Sequence, residues 1–195
     1  MVQSPSDREL VIALQSGDLD ALGQLYDRHR RLVYRTAFAI TGDAEAAADL
    51  LQDVFLRLHR FAHRIDPRRP VEPWLYRMTA NLAYSWLKRR KRWLQPLDGV
   101  MEWFQGTQRK RTLQQRVEHS AEWERLRLAM LKLPPQQRIV VVMYYINELS
   151  LQEIAEVLEI PVGTVKSRLH YGRQALRKTL GLEGKVLNEA TYEFT

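Results

Sequence analysis

The sequence predicts an all-α protein of two small helical domains joined by a flexible linker. Three observations carry that expectation. Apolar residues recur at helical spacing almost throughout. The one run that reads equally as a strand, IVVVMYYI at 139–146, has helical neighbours on both sides. Periodicity lapses once, over 94–118, where Pro96, Gly99 and Gly106 are spread through polar and basic sequence. With 195 residues and 45% hydrophobic content the chain can bury a core, and two small cores fit this pattern better than one.

Taken in order, the first element spans 20–40, where Leu22, Leu25, Tyr26, His29, Leu32, Val33, Thr36, Ala37 and Ile40 form one stripe. The turn Thr41-Gly42 and the N-cap Asp43 start a second helix with Ala47, Leu50, Leu51, Val54, Leu58 and Phe61 inside. Residues 62–73 hold three prolines and read as a loop, because proline removes a donor and disfavours helix in the residue before it. A third helix covers 74–93 (WLYRMTANLAYSWLKRRKRW), with Leu75, Met78, Leu82 and Trp86 on its inner stripe and Trp74 more often a plug than a ligand wall. After the linker, Ser120 is the expected N-cap of a helix with Trp123, Leu126, Met130 and Leu133 inward. Pro134-Pro135 ends it and opens the IVVVMYYI helix, whose apolar run implies burial on nearly all sides.

A formal charge of +7 and a pI near 9.8 favour a polyanionic partner, nucleic acid or an anionic membrane surface. No apolar run reaches the ~18 residues of a membrane span, and the N-terminus lacks a signal-peptide pattern. A cytoplasmic protein without membrane insertion is expected. With no cysteine, disulfides, thiolate chemistry and Cys-based zinc sites are excluded, and the five histidines show no metal-ligand spacing. No metal and no cofactor are expected, and no nucleophile or ligand cluster supports an enzyme.

Residues 149–178 carry the most informative motif. Ser150 and Glu153 form a capping box, Ile154 and Leu158 lie one turn apart, small Ala155 admits a close neighbour, and Glu159-Ile160-Pro161 makes a turn. A second helix from 162 turns Val165 and Leu169 inward and leaves Thr164, Lys166, Ser167, Arg168, His170 and Arg173 outside. Five Lys and Arg residues and no acid occur over 162–178. This is the layout of a helix-turn-helix, whose recognition helix enters a major groove about 12 Å wide; two amphipathic helices with a solvated basic face are the plainer alternative.

Three blocks together resemble the extracytoplasmic-function (ECF) sigma factors of bacterial RNA polymerase, group 4 of the main sigma family. DLLQDVFLRLHRF (49–61) is similar to the polymerase-binding helix of sigma domain two, WLYRMTANLAYSWLKRRKR to its minus-ten reader, and LPPQQRIVVVMYYINELSLQEIAEVLEIPVGTVKSRLHYGRQALRK to sigma domain four. The resemblance implies sigma domain two over 1–93, a linker over 94–119, domain four over 120–180 and a tail over 181–195 of unassigned role. It implies core RNA polymerase (β′ clamp and β flap) and promoter DNA as partners, an anti-sigma protein as a further one, and catalysis left to the polymerase.

By that resemblance Asp49, Gln52 and Asp53 face the basic β′ clamp; a solvated acidic face is the alternative. Asp43 and Glu45 are explained by the helix N-terminus alone. The minus-ten element is assigned to Arg68 and Arg69 of the proline loop and to Asn81, Ser85, Lys88 and Arg89, where extruded bases need a pocket and a cationic surround. The minus-thirty-five duplex is assigned to Thr164, Lys166, Ser167, Arg168, His170 and Arg173. Many family members have Arg-Ala where this chain has Tyr171-Gly172, which puts in doubt the usual contacts of the helix's C-terminal half. Extended, the linker spans about 80 Å, against about 58 Å for some 17 base pairs between the two elements. The competing expectation is a helix-turn-helix regulator that binds duplex DNA as a dimer; it leaves the acidic helix and 74–93 without a task.

Overall fold

The computed structural model describes residues 5–93 and 117–182. Among them are eight α-helices, one 3-10 turn and no strand. The linker between Trp93 and Val117 and the tail beyond residue 182 lie outside the described residues.

The N-terminal unit begins with a helix that the sequence reading did not anticipate, α1 (Asp7–Gln15). Ser6 Oγ accepts the Glu9 N–H at 3.3 Å and the Glu9 carboxylate accepts the Ser6 N–H at 2.7 Å, a complete capping box. Nine residues are too few for a stable isolated helix, so α1 depends on burying Leu10, Val11 and Leu14 against its neighbours. Asp7 bridges to Arg28 and His29, both at 2.7 Å, and Gln15 donates to the carbonyls of Ala62 and Ile65, which fastens both ends.

α2 (Leu19–Thr41) starts on the N-cap Asp18 and ends on Gly42, whose φ of 69° is the left-handed cap that favours glycine. α3 (Ala44–Phe61) follows at once, with Asp43 Oδ1 accepting the Ala46 N–H at 3.0 Å as expected. α2, α3 and α4 (Glu72–Trp93) pack on one another around Leu25, Val33, Ile40, Val54, Leu58 and Leu75. The loop is shorter than the predicted 62–73: residues 62–64 form a 3-10 turn and α4 begins at Glu72, since Pro73 fits a helix's first turn, where the lost donor had no partner. Along α4, Leu75 and Leu82 are buried and Trp74 and Met78 pack on the core as expected. Trp86 does not extend that stripe; it lies outside the core beneath the Arg90 guanidinium (5.0 Å), and Tyr84 packs inward instead.

The C-terminal unit comprises α5 (Val117–Lys132), α6 (Pro135–Tyr145), α7 (Leu151–Leu158) and α8 (Val162–Leu180). α5 starts three residues before Ser120, so Ser120 lies within the helix rather than capping it. Trp123 is 67% exposed; the inward residues are Ala129, Met130 and Leu133, because the helix presents its second half to the core. The IVVVMYYI run is helical, with Ile139 through Met143 buried. Pro134-Pro135 ends α5 and sets the first turn of α6, and neighbours on several sides cover the β-branched residues.

The two units pack together, α2 against α5 and α6 and α4 against α6 and α7. The buried Arg138 of α6 donates to the carbonyls of Ile40 (2.7 Å), Leu131 (2.5 Å) and Leu133 (3.1 Å), so one guanidinium caps the ends of both α2 and α5. Burial pushes its pKa down to about 10, which leaves it charged at neutral pH.

Candidate nucleic-acid interface and acidic face

On α3, Ala47, Leu50, Val54 and Leu58 hold the core, which turns Asp49, Gln52 and Asp53 to solvent together. None of the three has an ion-pair partner among the described residues. Asp43, by contrast, is spent on its cap and on Arg90 at 3.4 Å. Leu56, 65% exposed, follows Gln52 and Asp53 at i+4 and i+3 and adds an apolar contact to the acidic face. Sequence reasoning missed it, although a leucine off the inner stripe was a visible signal.

The loop before α4 is held by Asp66, which accepts from Arg68 Nε (2.9 Å), Arg68 Nη2 (3.1 Å) and the Arg68 N–H (3.0 Å). That fork and the backbone bond hold the Asp66 pKa at about 2. Arg68 is exposed but tethered, while Arg69 is exposed, its backbone N–H donating to the Asp66 carbonyl at 3.1 Å and its charge helping to lower the Asp66 pKa. On α4, Asn81, Ser85, Lys88 and Arg89 fall at i, i+4, i+7 and i+8 and make one exposed stripe. Ser85 Oγ donates to the Asn81 carbonyl at 2.8 Å, Lys88 lies over the Tyr84 ring at 5.0 Å, and the Asn81 amide is uncommitted among the described residues.

In the helix-turn-helix, Ser150 and Glu153 complete their capping box, with the Ser150 N–H donating to Glu153 at 2.8 Å, and Glu159 turns the chain with φ 52°. Val165 and Leu169 are buried, which presents Lys166, Ser167 and His170 to solvent, with Thr164 and Arg168 half-buried beside them. Arg173 departs from the expected outward placement. Its guanidinium lies over Tyr144 (5.1 Å) and Tyr145 (5.3 Å), with Nε buried and unpaired, because α8 runs close to α6 at this level. Gly172 is the reason for the close approach: a Cβ there would meet Val141 Cγ2 at 2.8 Å. Tyr171, 56% exposed and edge-on to His170, occupies the outer side in place of Arg173.

One other polar group draws notice. Ligand atoms of Asp7, His29 and Glu72 lie within 4.8 Å of one another, but both Asp7 oxygens are already bonded, to Arg28 and His29, and the group serves as the lock on α1.

The family model for sigma-70 region 2 matches residues 25–93, the unit with the acidic face and the α4 stripe, and that for sigma-70 region 4 matches 123–176, the unit with the helix-turn-helix. The ECF RNA polymerase sigma factor SigW of Bacillus subtilis is 35% identical over 177 residues, covering 86% of this chain and 92% of that protein. The chain belongs to the ECF RNA polymerase sigma factors. SigE of Mycolicibacterium smegmatis, another of them, is 33% identical over 90% of this chain and 70% of its own length. Among solved structures, CnrH in complex with the cytosolic domain of CnrY is 25% identical with a TM-score of 0.66, covering 92% of this chain and 99% of that one. The sigma factor RpoE from Bartonella quintana, solved with the anti-sigma factor NepR, shares the fold at 19% identity and a TM-score of 0.63, over 83% of this chain and 97% of its own.

As a sigma factor this protein acts in transcription initiation, and the dimeric regulator is not favoured, because a helix-turn-helix alone does not account for region 2. No helix among the described residues is long and apolar enough to cross a membrane.

Proposed function

We propose that this sigma factor joins core RNA polymerase through Asp49, Gln52, Asp53 and Leu56, with the acidic face meeting the basic β′ clamp and domain four meeting the β flap. Asn81 and Ser85 receive the unpaired minus-ten strand, while Lys88, Arg89 and Arg69 supply phosphate contacts and Arg68 stiffens the loop. Thr164, Lys166, Ser167, Arg168 and His170 read the minus-thirty-five duplex, and Arg173 supports α8 from within. The domains run over 1–93 and from α5 to about 180, the linker between them crosses the promoter spacer, and the factor works in the cytoplasm. It performs no catalysis itself, and its expected regulator is an anti-sigma protein, as found with the RpoE relative.

The observation that carries this reading is the division of α4. Leu75, Tyr76 and Leu82 are buried in the core, whereas Asn81, Ser85, Lys88 and Arg89 share an exposed stripe with no acidic partner among the described residues. An asparagine inside a helix is locally unfavourable, so an outside partner gives it a purpose. Run-off transcription with purified core polymerase tests the proposal. Start-site selection is expected with the wild type and reduced at least about tenfold by Asn81→Ala, the loss of a hydrogen-bonded base contact. No selection above core polymerase alone overturns it.

A further inference from the structure

Between Lys166 and Lys178 the outer face of α8 carries rings rather than cations. Lys166, Ser167, His170, Tyr171 and Gln174 are exposed at i, i+1, i+4, i+5 and i+8 and share that face. Lys166 and Lys178 are the only exposed Lys or Arg side chains of α8. Arg173 is committed elsewhere: Gly172 lets α8 approach Val141, and at that distance the Arg173 guanidinium lies over Tyr144 (5.1 Å) and Tyr145 (5.3 Å) of α6. A guanidinium held on two rings does not swing out to a phosphate without giving up both contacts. What stands outside is Tyr171, 56% exposed, its ring centroid 5.4 Å from that of His170 at an interplanar angle of 77°. This edge-to-face pair restricts both rings, and it holds an apolar edge and one phenolic O–H beside the residues assigned to the minus-thirty-five duplex.

The base edges of the major groove differ in how they match such a surface. Guanine offers two acceptors, which the donor fork of an arginine satisfies and a single hydroxyl does not. Cytosine offers a donor, adenine a donor beside an acceptor, and neither carries an apolar group there. Thymine alone combines a methyl group with an acceptor, O4, and so matches a ring edge with one O–H. We infer that Tyr171 is a specificity-determining residue of domain four that contacts a thymine methyl in the minus-thirty-five element, and that the inward turn of Arg173 leaves this position to thymine rather than guanine. The inference rests on the reading above, that the outer face of α8 meets the minus-thirty-five duplex. Lys166, five residues earlier, supplies charge to a phosphate without sequence information, and Tyr171 adds selection at a base.

The test uses promoter DNA randomised across the minus-thirty-five region, selected with holoenzyme reconstituted from core polymerase and the full chain, and the retained DNA is sequenced. The wild type is expected to retain thymine at one position, Tyr171→Arg to change that preference to guanine, and Tyr171→Ala to lose it without replacement. On the selected sequence, uracil in place of that thymine removes the methyl and keeps O4. It should weaken wild-type binding about fourfold, the worth of one buried methyl group, and leave binding by Tyr171→Ala unchanged. The uracil comparison is made on the wild-type protein, so it stands whether or not a variant folds; as Tyr171 is exposed, both variants should melt with the wild type. The same base preferences in wild type and folded Tyr171→Arg, or uracil accepted as readily as thymine, overturns the assignment. A Tyr171→Arg variant that only steepens the salt dependence of binding also overturns it, since the side chain then faces a phosphate. Lys166→Ala keeps the two readings apart. Minus-thirty-five binding that weakens with Lys166→Ala but ignores Tyr171 rejects the thymine contact alone, whereas holoenzyme with no selection in that region rejects the reading of α8 and this inference with it.

Discussion

A methyl group on Gly172 would sit 2.8 Å from Val141 Cγ2, and that distance decides the sign of a substitution. In an open helix Gly→Ala gains up to about 1 kcal/mol. Here Gly172→Ala is expected to lose about 1–3 kcal/mol by overpacking, read from urea denaturation, and Val141→Ala in the same chain should recover part of the loss. The departure from the family's Arg-Ala at 171–172 was visible in the sequence, but it read as a helix weakness. Only the packing of α8 on α6 shows that Gly172 fits the contact and that Arg173 turns inward with it. Arg68 teaches a similar lesson. Its charge was legible, whereas its tether to Asp66 depends on a turn closed by the Arg69 N–H and the Asp66 carbonyl at 3.1 Å.

Among the helices, α7 was legible to the residue because its cap, apolar pair and turn are all local. Ser150→Ala is expected to cost about 1 kcal/mol of domain-four stability in thermal melts. Its partner Glu153 has a pKa lowered from 4.5 by the Ser150 backbone N–H and then by its hydroxyl. A carboxylate depressed on folding stabilises above its unfolded pKa, so this contribution is complete above pH 4.5 and is lost as pH falls through the lower folded value. Glu153→Gln should flatten that part of the stability profile. The same S-x-x-E pattern at Ser6–Glu9 was just as visible and went unread, since α1 has three buried apolar side chains and its stripe has meaning only beside α2. IVVVMYYI was ambiguous for the opposite reason: a segment covered on several sides has no period to read.

At the scale of the whole molecule, a chain of net charge +7 keeps its acidic face and basic stripes on separate helices, which suits two unlike partners. Polymerase-dependent promoter binding is expected to weaken with salt, and Lys166→Ala should lower the slope of log K against log salt by about 0.9, one phosphate contact. Asp49→Ala should leave that slope intact and weaken association with core polymerase, measured by competition against a labelled wild type. What the sequence by itself determined is the all-α class, the helix-turn-helix with its caps, the acidic and basic faces and the family, because periodicity, capping and charge are properties of neighbouring residues. The tertiary structure decided what distant residues share: the seat of α1, the burial of Arg138 between two helix ends, the inward turn of Arg173 and the contact of Thr36 with Asn147. Those depend on which surfaces meet after folding, and one-dimensional spacing does not encode that meeting.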